Sequence, residues 1–338
     1  MKVFLSKYIG FCNGVRRSIA KAYDEIRKTS GNVYTDGDLV HNSRTLDRLA
    51  CAGIRKLPDD QSLPKNCDSI IVRAHGVTPA RRKMLGALGC RVIDATCPKV
   101  LRIAGLIKKY SNEGFHVLLA GEADHPEIIG LCGYALYKKI TVLSSAREVS
   151  NLKTCSEKIV VLSQTTFESE VFEEIADAVL KRFKDATVKN TICSSTINRQ
   201  REILNFIQSG CDCIIVVGSK FSNNTKSLYN TALANGCHSL IIENPQSLEL
   251  ANTKKYNHIG ITSGASTDYR DAYEIYERLI IDANLKKEEG KNEKISGKTD
   301  GKNNPKTEEA FCDHRRSLQE KKDREKGKER TEKWIVGE

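Results

Sequence analysis

Three times along its 338 residues the chain passes from a short apolar strand, through a cysteine, into a helix. The clearest instance is the strand Arg91-Val92-Ile93-Asp94, then Ala95-Thr96-Cys97-Pro98, then Val100, Ile103, Ala104 and Ile107 at helical spacing. Pro98 suits the first turn of a helix, where a missing N–H costs little. Cys97 therefore sits beside free backbone N–H groups and the positive end of a helix dipole, surroundings that favour thiolate over thiol. Cys12 in "GFCNGV" and Cys193 in "NTICSSTINRQ" stand in the same frame.

The polar positions downstream repeat with the cysteines. His41 follows Cys12 by 29 residues, His125 follows Cys97 by 28, and Ser222 follows Cys193 by 29. A third polar cluster comes later in each unit, with His75, Thr165 and Ser266 at offsets of 63, 68 and 73. Each of these residues ends an apolar run that reads as a strand, and helical patterns alternate with the strands. Such alternation predicts parallel sheets with crossover helices, in which ligands bind beyond the carboxyl ends of the strands. The expectation is an α/β protein of three similar small domains: 13–96, 97–192 and 193–284. Residues 1–12 supply a first strand and cysteine loop that pack with the third domain. From Leu285 the composition turns to Lys, Glu, Gly and Asn with almost no apolar residues, so 285–338 is expected to be a charged tail, disordered or loosely helical. A partner-docking arm anchored by Trp334 is the other reading of that tail.

Charge and cysteine usage narrow the function. The formal net charge is +11, of which the tail, with 16 Lys+Arg against 13 Asp+Glu, carries only a small part. A basic body suits anionic ligands or an acidic protein partner. Aromatics are few and do not interleave with the basic residues, so no nucleic acid is expected. No apolar run is long enough for a membrane helix, and the N-terminus reads as a strand, so no membrane association is expected. A cytoplasmic location follows, with the twelve cysteines mostly reduced and Cys51, Cys67, Cys90, Cys132, Cys155, Cys211, Cys213 and Cys237 serving as small packing residues.

Cys12, Cys97 and Cys193 lie too far apart in sequence for a zinc finger, but they suit a cluster seated where three units meet. Four-iron clusters usually take four cysteines, so three leave one iron open. His41, His75, Ser222, Asn224 and Ser266 offer N–H and O–H donors suited to phosphate oxygens. Glu127, two residues after His125, puts a carboxyl and an imidazole at one strand end. In a closed pocket that carboxyl can hold its proton at neutral pH and act as a general acid. Gln164 and Thr165 could fix a substrate hydroxyl or relay a proton.

In order along the chain, "GFCNGVRRSI", "GDLVHN", "RAHGV", "DATCPKV", "HPEIIG", "SQTT", "NTICSSTINRQ", "GSKFSNNT" and "TSGAS" resemble the motifs of the 4-hydroxy-3-methylbut-2-enyl diphosphate reductase family. The resemblance runs from Met1 to about Ala283. It implies three α/β domains around a pseudo-threefold axis with a central metal cluster. It also implies the last step of the non-mevalonate isoprenoid route, in which two electrons and two protons remove an allylic hydroxyl to give isopentenyl and dimethylallyl diphosphates. Carried over by position, Cys12, Cys97 and Cys193 would hold one 4Fe–4S cluster with an open iron for the substrate hydroxyl. His41, His75, Ser222, Asn223, Asn224 and Ser266 would bind the diphosphate. Thr165 would hydrogen-bond the reacting hydroxyl with support from Gln164, and Glu127 would deliver protons with help from His125. An acidic electron donor, ferredoxin or flavodoxin, would supply electrons singly.

Two positions depart from the family pattern. Asn223 stands where a second serine is usual, which would lose a diphosphate contact or replace it by an amide N–H. Asp268 stands where a proline is usual, which would loosen its loop. Two rivals remain on the residues alone: a quinolinate synthase, also a three-unit protein with a three-cysteine cluster, and a zinc-stapled binder of anionic polymers.

Overall fold

In the computed structural model, residues 1–58, 67–152 and 158–296 are described. The chain opens with β1 (Lys2–Leu5), α1 (Asn13–Lys28), β2 (Asn32–Asp36), α2 (Ser43–Cys51), β3 (Ile54–Lys56), β4 (Cys67–Val72), α3 (Pro79–Gly86) and β5 (Arg91–Asp94). It continues through α4 (Pro98–Asn112), β6 (His116–Ala120), α5 (Pro126–Cys132), β7 (Ile140–Leu143), β8 (Ile159–Ser163), α6 (Ser169–Arg182) and β9 (Thr187–Val188). The rest is α7 (Ser194–Gln208), β10 (Cys213–Val217), α8 (Asn223–Ala234), β11 (His238–Ile242), β12 (His258–Ser263) and α9 (Tyr269–Ser296).

The strands form three four-stranded sheets, ordered β3-β2-β4-β5, β7-β6-β8-β9 and β11-β10-β12-β1, and every strand pair is parallel. The three orders are one topology repeated. In the third sheet the last place is filled by the N-terminal strand, with Lys2 to Leu5 in register with His258 to Ile261. Central strands such as β8 (IVVLS) and β10 (CIIVV) are buried at every position, as a strand covered by helices on both faces must be.

The topology also places the chemistry. β5, β9 and β1 are the edge strands that lead into the three cysteines, and the helix after each cysteine packs on a different sheet. Ala22 of α1 packs with Val33 and Ile71 of the first sheet, although β1 belongs to the third. Val100, Ile103 and Ile107 of α4 pack with Val117 and Leu119 of the second. Ile203 of α7 packs with Ile214 and Val216 of the third. Each cysteine thus lies where the chain crosses from one sheet to the next.

Several expectations change. The outer strands β3, β7 and β11 and the short helix α5 were not anticipated. Cys51 is exposed and is no packing residue; Cys67, Cys90 and Cys132 are half-buried and pack against hydrophobic cores, and Cys211, Cys213 and Cys237 are buried, while Cys155 lies outside the described residues. Residues 1–283 form one compact unit. α9 is helical as far as Ser296, so the start of the expected tail is ordered as helix, and residues 297–338, with Cys312, His314 and Trp334, lie outside the described residues. Among the described residues no helix is long and apolar enough to cross a membrane. Asp268 does not loosen its loop. It is 4% exposed, accepts from the Arg270 backbone N–H at 3.0 Å, and pairs with Arg48 of α2 at 2.7 Å and Arg270 at 2.6 Å. Burial pulls its carboxyl pKa upward, but these donors more than offset that and hold it below the ordinary value.

Candidate active site

Cys12, Cys97 and Cys193 are the N-cap residues of α1, α4 and α7, each with extended backbone and none with a side-chain capping bond. A residue that caps a helix usually spends its side chain on the first N–H groups. These three do not, so their sulfurs remain available. Gly14 shows how tightly two of them are grouped: a Cβ there would lie 2.6 Å from Cys97 Sγ and 3.9 Å from Cys12 Sγ. Only the absence of a side chain lets α1 begin so close to the cysteines.

The thiolate expected from helix geometry is not what the polypeptide alone favours. Burial raises the Cys97 pKa, the N–H groups of Lys99 and Val100 pull it back, and the Cys12 and Cys193 sulfurs raise it further, for a net upward shift. Three clustered sulfurs repel one another as thiolates. A cationic core between them removes that conflict, so this donor set fits a thiolate-held metal cluster.

All three sulfurs line a cavity of about 90 Å³ together with His41, His75, His125, Glu127, Thr165, Ser222, Asn223, Asn224 and Ser266. Apart from the cysteines, these residues come from the loops and first helical turns after β2, β4, β6, β8, β10 and β12, the two central strands of every sheet. A larger crevice of about 270 Å³, lined by Asp36, Arg73, Arg81 and Ile129, holds none of the cysteines or histidines. The smaller cavity is therefore the candidate site.

The imidazoles of His41, His75 and His125 form a triangle with ring centroids 4.5, 5.6 and 5.4 Å apart. Their ligand atoms lie within 4.8 Å of one another. His41 Nε2 and His75 Nδ1 are buried without a hydrogen-bond partner. Burial, then neighbouring positive charge, lowers all three pKa values: His41 below its ordinary value, His75 well below, and His125 to about 3. His125 Nδ1 accepts from the Glu127 backbone N–H at 3.0 Å, which leaves its Nε2 to carry the proton of the neutral ring. The set could take an anion or a divalent cation. The surrounding donors favour an anion: Ser222 caps α8 without using its hydroxyl, and Asn224 Nδ2 makes only a long bond, 3.5 Å, to Thr196 Oγ1 while its Oδ1 accepts from Ala265 N–H at 2.7 Å. Ser266 Oγ donates to the His41 carbonyl at 3.3 Å, so it ties the first sheet's loop to the third's.

Glu127 is the second residue of α5, whose first position is Pro126 and whose cap is His125. Its carboxylate is 2% exposed and accepts from the Thr165 N–H at 2.7 Å and the Thr165 hydroxyl at 2.6 Å. Burial raises its pKa to about 7 against the lowering effect of those two bonds. Gln164 is not among the residues lining the cavity. Its Oε1 accepts from Glu122 N–H at 3.1 Å and its Nε2 donates to Thr166 Oγ1 at 3.1 Å, so it braces the loops that carry Glu127 and Thr165.

Arg199 was not anticipated. Its guanidinium is 3% exposed and donates to Gly10 O at 2.7 Å, to Ser263 O at 3.2 Å and to Ser195. It thereby ties the Cys12 loop, the end of β12 and the first turn of α7 together. Burial lowers its pKa, and the nearby Cys12 and Cys193 sulfurs oppose that. An arginine six residues after Cys193, on the face where Ile203 and Thr196 are buried, was the available sequence signal.

A family model described as LytB protein matches residues 3–280 of the chain. The 4-hydroxy-3-methylbut-2-enyl diphosphate reductase of Opitutus terrae is 36% identical over 276 residues, covering 79% of this chain and 95% of that protein. The protein of the same name from Campylobacter fetus is 37% identical over 267 residues, with 79% and 93% covered. Two solved structures resemble the fold. The E-1-hydroxy-2-methyl-but-2-enyl-4-diphosphate reductase of Plasmodium falciparum has a TM-score of 0.77 at 26% identity and covers 82% of this chain and 87% of that one. A second, (E)-4-hydroxy-3-methyl-but-2-enyl diphosphate reductase, has a TM-score of 0.61 at 30% identity, with 82% and 99% covered.

Proposed function

The chain belongs to the LytB protein family, and from that membership we propose that it reduces (E)-4-hydroxy-3-methylbut-2-enyl diphosphate to isopentenyl and dimethylallyl diphosphates, the last step of the non-mevalonate pathway. The observation that carries this reading is the single cavity in which three cysteines, three neutral histidines and a buried carboxyl with a raised pKa meet. The family membership and the names of the relatives favour this reading over a quinolinate synthase or a zinc-stapled polymer binder.

Cys12, Cys97 and Cys193 would hold a 4Fe–4S cluster, which supplies electrons one at a time and a Lewis-acidic iron for the substrate hydroxyl. The protein's own residues do the rest. His41, His75, Ser222, Asn223, Asn224 and Ser266 hold the diphosphate. Asn223 replaces a hydroxyl by an amide N–H at the first position of α8, where the dipole also favours an anion. His125, with its proton on Nε2, faces the same anion. Glu127 in its protonated form gives a proton through the Thr165 hydroxyl to which it is hydrogen-bonded, and the leaving hydroxyl departs as water, while the allylic carbon skeleton takes up the two electrons and a second proton. Gln164 keeps the Glu127 and Thr165 loops in place. The domain division at 12/13, 96/97, 192/193 and 284/285 is proposed on the same grounds, because each sheet with its helices is one repeat of the topology. A cytoplasmic location, with an acidic ferredoxin or flavodoxin as donor, agrees with the free cysteines and the basic charge.

Anaerobic incubation of the reconstituted protein with the hydroxylated diphosphate and dithionite tests the activity. Both products are expected, with two electrons consumed per product. Intact substrate after incubation with fully loaded protein overturns the reading.

The histidines make a separate expectation. They are neutral in the free site, and a bound diphosphate favours their protonated forms. Binding should therefore take up protons and weaken as pH rises. Calorimetric titration with inorganic diphosphate in buffers of different ionisation enthalpy measures this, and zero or negative uptake at pH 7 contradicts it.

A further inference from the structure

The reductase reading requires single electrons from outside the chain, and a docking place for their donor rests on that reading. α1 and α4 begin side by side. Gly14 lies against Cys97, and farther along α1 the Lys21 ammonium donates to Asp94 O, at the end of β5, at 2.5 Å. Positions 14, 17 and 21 share one stripe of a helix, so Arg17 stands beside the first turn of α4.

Helix N-termini favour carboxylates, because the dipole is positive there. Neither α1 nor α4 has an acidic residue in its first turn. They carry Arg16, Arg17, Lys99 and Arg102 instead, none in an ion pair among the described residues. Four cations set against two dipoles are locally unfavourable, and no described residue forms an ion pair with them. Leu101, next to Arg102 at the start of α4, is 41% exposed, so an apolar side chain lies beside a basic one, as in protein-binding patches. The patch is also close to the chemistry. Arg16 N–H donates to Cys12 O at 2.9 Å and Leu101 N–H to Cys97 O at 3.0 Å, so these surface residues are one hydrogen bond from two cysteine backbones.

We propose that the first turns of α1 and α4 form the docking surface for an acidic one-electron carrier protein, with Arg16, Arg17 and Arg102 engaging its carboxylates around Leu101. Each encounter oxidises the carrier by one electron and reduces the enzyme by one. Two encounters, with two protons, balance the loss of the substrate hydroxyl as water. Charge complementarity speeds such encounters and makes them salt-dependent.

The test uses the cluster-loaded full chain, with reduced flavodoxin, an acidic flavoprotein, as the probe. The variant Arg16→Glu/Arg17→Glu/Arg102→Glu is compared with Lys108→Glu, which reverses an exposed charge at the far end of α4. At low salt the triple variant should lower flavodoxin-driven kcat/KM and weaken flavodoxin binding at least about tenfold, and it should lose the salt dependence of the parent. Dithionite-driven turnover and iron content should match the parent, and Lys108→Glu should behave as the parent in all respects. Unchanged flavodoxin kinetics and Kd overturn the proposal. So does an equal loss with dithionite, which would place the effect in the site itself, or an equal loss in Lys108→Glu, which would reduce it to overall charge. Loss of RNA binding with flavodoxin turnover intact would mark a nucleic-acid surface instead. Failure of the parent with dithionite overturns the reductase reading, and this inference falls with it.

Discussion

Cys97→Ser is expected to give a folded chain that cannot hold its cluster. The two effects separate because Cys97 has two roles that serine fills unequally. As the N-cap of α4 it makes no side-chain bond to the helix. Serine is a good N-cap, and its hydroxyl can accept from the N–H groups of the first turn, so the metal-free variant should match or exceed the parent by up to about 1 kcal/mol in thermal unfolding. As a metal ligand serine is a poor substitute, since its hydroxyl does not ionise near neutral pH and is a hard donor where thiolate is soft. Iron and labile sulfide per chain should fall by about an order of magnitude or more under anaerobic reconstitution, together with the visible absorption of thiolate-bound iron. A stable, coloured, iron-replete serine variant would remove Cys97 from the ligand set. A variant that fails to fold would show instead that the sulfur is needed for packing, against its half-buried position and the absence of a capping bond.

The repeat was legible because both of its periods are carried by residue types. Strand-to-cysteine-to-helix junctions and polar strand ends announce themselves in sequence, and parallel topology turns those strand ends into one cavity. β3, β7 and β11 were not legible because they lie at the outer edges of their sheets and contribute nothing to the site. β3, for example, is three residues of which only Ile54 is buried. α5 escaped notice because seven residues are too few for a periodic pattern. Yet it fixes the spacing between His125 and Glu127 by capping geometry. Long-range pairings were equally hidden. Nothing near Asp268 points to Arg48 on α2, and a missing proline suggested looseness where an ion-pair network supplies rigidity. Gln164 sits in a motif beside Thr165, but alternation along the chain turns its side chain away from the cavity and towards Glu122. The Cys97 thiol illustrates the electrostatic counterpart: local helix geometry argues for thiolate, while burial and two other sulfurs, known only from the fold, argue against it.

Glu127→Gln should abolish turnover while leaving the fold, the cluster and substrate affinity in place. The substitution keeps the shape of the side chain. The amide oxygen can still accept from the Thr165 N–H, and the Thr165 hydroxyl can rotate to accept from the amide nitrogen, so neither bond is left unmade. What is lost is a proton that can be given away. Removal of a positioned general acid typically lowers rates about 10²- to 10⁴-fold, which is the expected loss in kcat, while iron content and inorganic diphosphate affinity stay within about threefold of the parent. The pH dependence gives the sign independently. Burial raises the Glu127 pKa to about 7, so the acid form dominates below that value and is lost as pH rises through it. Parent kcat/KM should therefore fall on the alkaline side of about pH 7, and the residual activity of the glutamine variant should lack that limb. The histidines weaken binding over the same range, so kcat, measured at saturating substrate, separates the two effects: it reports the acid in the bound complex, where a nearby diphosphate pushes the carboxyl pKa higher still. A variant with turnover within a few-fold of the parent would take the proton-donor role from Glu127 and move it to Thr165 or His125.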